Sequence, residues 1–355
     1  MFGERLFRAR AASGLSMREL GVLAGVSANM IKKYEHNESM PGSAVLLKIS
    51  RALGVRNEYF FRPTTIELKE IEYRKRSNLT KKALTRIHAD IIDQVERWME
   101  LAALWPHFPV PTFTAPRFTT RRLTNYDEVE KAANSLREEW GLGSQPVSSL
   151  IDLLERQGIL VIVTQADHAE KFDGCQAKVN GMPVIVISGK WPGDRQRFTL
   201  AHELGHLVLH HRLADELDEE KACHRFAGAF LLPASTMRQR LGARRHTLEV
   251  RELYMLKQEA GLSMMACVYR AADLGIISDQ TRQKLFMLFS VRHWRTLEPG
   301  EACPPEETSL FAQLVFRGLG EGIISESKAA ELLGISLSQF HRARKLESPD
   351  VDSYQ

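Results

Sequence analysis

The 355-residue chain is 44% hydrophobic and 26% charged, which suits two or three soluble globular domains. No apolar run approaches the roughly 20 residues of a membrane span, the start MFGERLFRAR lacks a secretory signal, and four scattered cysteines without a C-x-x-C pair argue against a disulfide framework. A cytoplasmic protein without a membrane partner is expected. The net charge of +4 is unevenly placed. Residues 1–80 hold 14 Lys/Arg against 8 Asp/Glu and the remainder 34 against 36, so a nucleic-acid partner is most natural at the N-terminus.

Residues 3–61 read as a compact run of short helices. Within them GLSMRELGVLAGVSANMIKKYEHNESMP (14–41) carries two helix starts around a turn. Ser16 and Glu19 have capping-box spacing, Gly25 falls where the first helix must stop in a left-handed conformation, and Ser27 can cap the next helix. Leu20, Leu23, Val26, Ile31 and Tyr34 are expected to share a core, leaving Ala28, Asn29, Lys32 and Lys33 outward. A helix-turn-helix offers its second helix to the major groove in this way, where Asn pairs with an adenine edge and Lys reaches guanine or phosphate. A small helical bundle that binds only protein is the alternative.

These residues resemble the Cro/CI-type (XRE) repressor family across about residues 3–61. Met17 stands where that family often has Gln for a backbone contact, and Gly21 where Ala is usual. The resemblance implies a five-helix DNA-binding domain acting on pseudo-palindromic double-stranded operator DNA as a homodimer.

Further along, residues 78–104 place Leu84, Ile87, Ile91, Val95, Trp98 and Met99 at helical spacing, a stripe that fits a packed helix or subunit contact. Four prolines in 105–125 give linker composition. Residues 126–140 and 146–157 read as helices; GILVIVT, DGCQAKVNG and PVIVIS read as strands. A helix is expected to start near Asp194 as N-cap, and the chain beyond Pro233 reads as almost wholly helical to about residue 345. No long internal repeat is visible. ISESKAAELLGISLSQFHRARK (324–345) and LKQEAGLSMMACVYRAADLGIIS (256–278) each show a helix, a glycine and a second helix, read mainly as packed helical ends and core, with a second DNA-binding element as the other reading of 324–345.

The stretch TLAHELGHLVLHHRLADELDEEKACHRFAGAFLLP (199–233) contains an H-E-x-x-H array. His202 and His206 lie one helical turn apart, so both imidazoles can share one ion. Zinc lowers the pKa of its bound water to about 7, and Glu203 is placed to take that proton. A metzincin would have Gly and His where Leu209 and Arg212 stand, so that class is excluded. His210 continues the stripe, yet eight residues of helix advance about 12 Å, which makes it a residue near the cleft and not a ligand; His211 points elsewhere. A carboxylate from the next helix remains. Glu220 shares a face with Cys223, His224 and Ala227, Glu219 is the alternative or a solvated acid, and Cys223 and His224 are softer ligands.

HELGHLVLH, the segment Glu220-Lys-Ala-Cys223-His224-Arg-Phe226-Ala227 and the Leu-Leu-Pro ending resemble the ImmA/IrrE family of zinc peptidases over roughly residues 126–275. The resemblance implies Zn2+ at His202, His206 and Glu220, with Glu203 as general base; His224 stands where the family often has Asn. Members of that family cleave XRE-type partner repressors during stress or mobile-element induction, whereas here an XRE module lies in the same chain.

The fold expected is mainly α with a small β-sheet: a Cro/CI-type domain (1–65), a helical connector and Pro-rich linker (66–125), a zincin-like α+β peptidase domain (126–245) and a helical C-terminal region (246–355). The function expected is a DNA-binding regulator with a zinc endopeptidase that cuts a partner repressor or antitoxin, or its own linker at 105–125. His210, His224 and Tyr254 are candidates for stabilising the transition state. A non-proteolytic transcription factor or antitoxin that senses a ligand, or a toxin–antitoxin component that grips a protein, is the alternative.

Overall fold

The computed structural model describes residues 2–61, 81–116, 122–164, 172–179 and 181–346. They are mostly helical, with sixteen α-helices and one three-stranded sheet. The first unit comprises α1 (Phe2–Ala12), α2 (Met17–Ala24), α3 (Ala28–Glu35), α4 (Ser43–Leu53) and a 3-10 turn at Asn57–Phe61, which takes the place of the fifth helix. Leu6, Leu20, Ile31, Ile49 and Phe60 fill its core. Gly3 has no Cβ because the Glu35 carbonyl oxygen occupies that space, so α1 starts directly against the end of α3.

α5 (Lys81–Leu104) buries Ile87, Ile91, Val95 and Trp98 of the stripe its spacing predicts, with Met99 partly buried at the margin, and it also buries Leu101. Residues 78–80 and the side chain of Leu84 lie outside the described residues. Beside this stripe, Glu96 accepts hydrogen bonds from Arg5 at 2.6 Å and Arg8 at 3.1 Å, seating α1 on α5. The proline-containing segment then packs. Trp105 is buried, and Phe108 meets Trp98 edge-on at 5.7 Å. Residues 117–121 lie outside the described residues.

α6 (Tyr126–Glu139) and α7 (Leu150–Arg156) lead into β1 (Leu160–Thr164), β2 (Gly174–Val179) and β3 (Met182–Ser188). The strand order is β1-β3-β2, with β1 parallel and β2 antiparallel to β3. Alternation sends Val161, Ile185 and Ile187 to one face and Leu160, Ile162, Val184 and Val186 to the other. Both faces are covered, which is why the strands read as continuous apolar runs. α5 lies on the second face and α8 (Gly193–Leu209) on the first. Pro192, and not Asp194, is the N-cap of α8. Asp194 sits within its first turn, where an acid suits the helix dipole, and pairs with Lys257 at 3.1 Å.

α9 (Glu219–Leu231), α10 (Ala234–Leu241), α11 (Val250–Ala260), α12 (Met264–Asp273) and α13 (Asp279–Val291) close around α8 in one core with α6 and α7. Residues 301–309 interrupt the helices expected after Pro233. Within this strap Glu306 accepts from the Leu150 and Ile151 N–H groups at 2.7 and 3.0 Å and so caps α7. α14 (Leu310–Gly320), α15 (Glu326–Leu333) and α16 (Leu337–Arg344) join α5 in the second core. Among the described residues no helix is long and apolar enough to cross a membrane.

Glu130 of α6 ties three helices of the larger core together. It accepts from Arg270 at 2.6 and 2.9 Å and pairs with Arg225 at 2.7 Å. Burial works to raise its pKa, but Arg270 and Arg225 outweigh burial and hold the carboxyl below its ordinary value. A lowered carboxylate pKa stabilises the fold above the unfolded-state value of about 4.3, and that stabilisation is lost as pH falls through the folded value. Glu130→Ala leaves Arg270 buried without its carboxylate, a loss of about 3–5 kcal/mol. Urea titrations at neutral and acid pH should show the variant weaker at neutral pH and less sensitive to acid; an equal acid response in both proteins would contradict this account.

Candidate metal centre and nucleic-acid interface

α8 holds His202 and His206 one turn apart, with ring centroids 4.6 Å and Nε2 atoms 3.0 Å apart. α9 crosses α8 at Gly205, where a Cβ would press on Phe226 at 3.2 Å and on Cys223 at 3.4 Å. The glycine therefore sets the approach that brings the first turn of α9 to the imidazoles. Glu220 Oε2 lies 3.5 Å from His202 Nε2, and its Oε1 lies 3.8 Å from His206 Nε2. Two bonds of about 2.0–2.1 Å at a tetrahedral angle put donor atoms about 3.3 Å apart, close to the 3.0 Å between the imidazoles and the 3.5 Å from His202 to the nearer carboxylate oxygen. Two imidazole nitrogens and a carboxylate oxygen form a donor set that fits a borderline divalent cation and leaves a fourth position open.

The other nitrogen of His206 is also engaged. Its Nδ1 is 3.1 Å from Glu219 Oε1 and 2.9 Å from Cys223 Sγ. A carboxylate that accepts the Nδ1–H fixes the tautomer and leaves the Nε2 lone pair for a metal. Glu219 thus touches the ring and is more than a solvated acid. His206, Glu219 and Cys223 form a second close group, but only the Nε2 side gathers both imidazoles. The signal in the sequence was the pair of adjacent acids in the first turn of α9, which face the two ring nitrogens of one histidine.

Glu203 is 5% exposed, and its backbone carbonyl accepts from Gln176 Nε2 at 2.6 Å. Gln176 lies on β2, an edge strand of the sheet, so the motif helix is fastened to that edge. Sequence reading did not single out Gln176; a polar residue between the apolar positions of a strand was the available signal. Gly174 allows this closeness, because a Cβ there would meet the Thr199 methyl group. Burial, with the Glu203 charge adding to it, pushes the Cys175 thiol above its ordinary pKa.

Of the other named residues, the structure brings His224 to the cluster, with its exposed ring 4.6 Å from that of His202. His210 does not continue the stripe. α8 ends at Leu209, so His210 is the exposed C-cap, turned onto His211 with ring centroids 3.6 Å apart. Tyr254 packs against Gly300, and its hydroxyl accepts from the Glu301 N–H at 3.4 Å. Its ring also packs against the larger core, with the Arg251 guanidinium 5.3 Å from its centroid.

In the N-terminal unit the capping box forms, with Glu19 N–H donating to Ser16 Oγ at 3.2 Å and Ser16 N–H to Glu19 Oε2 at 2.7 Å. Gly25 is left-handed at φ 72°, and Ser27 caps α3. Leu20, Ile31 and Tyr34 are buried, but Leu23 is 54% exposed. The two-turn α2 points Leu20, Gly21 and Ala24 inward, and Leu23 falls beyond that narrow face. On α3, Asn29, Lys32 and Lys33 are exposed and Ala28 half-buried, so its outer side is polar and basic.

Residues 6–60 match the helix-turn-helix family model, and residues 154–272 match the IrrE N-terminal-like domain of the M78 peptidases. The chain therefore joins an XRE-type helix-turn-helix domain to an IrrE N-terminal-like domain. An SPbeta prophage-derived uncharacterized HTH-type transcriptional regulator, YonR, of Bacillus subtilis (strain 168) is 33% identical over 64 residues, which cover 18% of this chain and 59% of that relative.

Widening the α8–α9 crossing should disturb the cluster directly. Gly205→Val forces a side chain against Phe226 and Cys223, with an expected loss of about 1–3 kcal/mol in urea denaturation. An unchanged midpoint would mean that the crossing tolerates a larger separation.

Proposed function

We propose that the protein is a DNA-binding regulator that also acts as a zinc-dependent endopeptidase. The reading is carried by the convergence of His202, His206 and Glu220 around one point, with Glu203 buried on the same helix. His202 and His206 would hold zinc through Nε2 and Glu220 through its carboxylate, while Glu219 orients His206 through Nδ1. Bound zinc supplies a Lewis acid for the scissile carbonyl and lowers the pKa of water. The Glu203 carboxylate takes the proton of the attacking water and returns it to the leaving amine. His224, exposed beside His202, is placed to donate to the oxygen that gains charge. β2 offers an edge to which an extended substrate backbone can add as a further strand.

The substrate is a protein supplied in trans, an XRE-type repressor or antitoxin. The packing of Trp105 and Phe108 supports this choice over cleavage of the chain's own linker, because the start of that linker is held in the second core. The N-terminal unit binds operator DNA through α3 as a homodimer, with Asn29 reading a base and Lys33 reaching guanine or phosphate. The likeness to an HTH-type transcriptional regulator supports this part.

Zinc analysis and mapping of new protein termini in cells test the peptidase. Wild type should hold about one zinc per chain. His202→Ala and Glu220→Ala should lose it, and Glu219→Ala should bind it roughly 10–100-fold more weakly. Glu203→Gln should keep zinc and lose cleavage by roughly 10²–10⁴-fold. New termini that appear equally with wild type and Glu203→Gln would sink the peptidase reading and favour a regulator that senses a ligand without cutting.

For DNA, affinity should fall steeply with salt as phosphate contacts release counterions. Asn29→Ala and Lys33→Ala should weaken a selected operator more than random duplex, by about 1–3 kcal/mol for a base contact. Equal losses on both would make these side chains positioning contacts only.

A further inference from the structure

We propose that α14–α16 form a second DNA-binding unit, which grips duplex DNA through the outer face of α16. The three helices repeat the lengths, caps and turn angles of α1–α3, although α14 packs mainly on α15 where α1 packs on α3. α14 and α1 each have 11 residues, and each is followed two residues later by a left-handed glycine, Gly322 at φ 71° and Gly14 at φ 70°. From Ser325 to Arg344 the match to Ser16–Glu35 runs residue for residue. Ser325 and Ser16 cap eight-residue helices, Gly334 and Gly25 end them at φ 71° and 72°, and Ser336 and Ser27 cap second helices of eight residues. The inward positions agree too, with Ala329 for Leu20, Ala330 for Gly21 and Phe340 for Ile31, all buried.

That turn alone would not make a DNA-binding unit, because it occurs a third time. Gly261, left-handed at φ 61°, and Ser263, an N-cap, join α11 to α12 in the same manner. There, however, Met264, Cys267, Val268, Arg270 and Ala271 are all buried, so α12 is a core helix. α16 buries only Phe340. Opposite that ring stand Ser338, His341, Arg342 and Lys345, at the positions that α3 gives to Asn29, Lys32, Lys33 and His36. A polar hydrogen-bonding residue followed by basic residues is repeated, and no acidic residue lies on α16. Glu326 stands where α2 has Met17, and its carboxylate is met by His341 at 3.0 Å and by Arg344. His341, Arg342 and Arg344 make α16 basic, and a basic second helix after such a turn suits the anionic groove of a duplex.

The unit has a firm seat. Trp98 of α5 stacks on Phe311 at 6.1 Å, Arg97 donates to the Leu332 carbonyl at 3.5 Å, and Lys328 pairs with Glu100. α1 docks on the same helix at Glu96. One helix thus carries both units, so a single chain can hold DNA at two places.

The test measures binding of the full-length protein to a random-sequence duplex across a salt series. Arg342→Glu with Lys345→Glu should lower affinity at least about tenfold and reduce the salt slope by about 1.8, from two phosphate contacts at about 0.9 each. Ser338→Arg, a single exposed change, should raise both quantities and covers the case in which charge reversal disturbs folding. An Asn29→Ala/Lys33→Ala protein should keep the part of the slope that depends on Arg342 and Lys345, whether or not the N-terminal unit binds as proposed above. An unchanged slope in both α16 variants overturns the proposal and leaves that face to an acidic protein surface.

Discussion

The close crossing of α8 and α9 at Gly205 is the contact on which the candidate metal centre depends. An H-E-x-x-H helix by itself aligns two imidazoles along one face, but nothing on that helix can supply a converging carboxylate. The third donor must arrive from another element. With only hydrogen at Gly205, Cys223 and Phe226 of α9 lie against α8, and the first turn of α9 then delivers Glu219 to one nitrogen of His206 and Glu220 to the other. Small residues at the crossing and acids one turn earlier are parts of a single device.

The sheet extends this device in two directions. Its first face receives α8, and Gln176 of β2 fastens the Glu203 carbonyl to an edge where a backbone could pair. Its second face receives α5, which carries α1 through Glu96. Three short strands therefore stand between the helix with the imidazoles and the helix that seats the DNA-binding unit. The strap at 301–309 and the Glu130–Arg270 pair hold the surrounding helices to that frame.

Much of this was legible because local rules decide it. The capping box at Ser16 and Glu19, the left-handed Gly25, the short β-branched runs of the strands and the one-turn spacing of His202 and His206 each depend on a few neighbouring residues. What escaped depends on tertiary contacts or on where an element stops. His210 sits on the helical stripe only if α8 continues, and α8 ends at Leu209. The choice between Glu219 and Glu220 concerns which nitrogen of one ring each acid meets, which spacing along α9 does not specify. Residues 256–278 and 324–345 carry the same local signals of glycine, serine cap and helix. Only burial separates them, because α12 is enclosed by α11 and α13 whereas α16 buries Phe340 alone. The repeat of α1–α3 in α14–α16 escaped for a related reason: it is kept in caps and turn angles, while few side chains are shared.

X-ray absorption at the zinc edge of the purified protein tests the central claim most directly. If α9 presents Glu220 to the paired Nε2 atoms, the first shell contains only nitrogen and oxygen at about 2.0–2.2 Å, with the scattering pattern of two imidazoles. A sulfur scatterer at about 2.3 Å would place the ion with Cys223 and Glu219 on the Nδ1 side of His206, and would contradict the assignment.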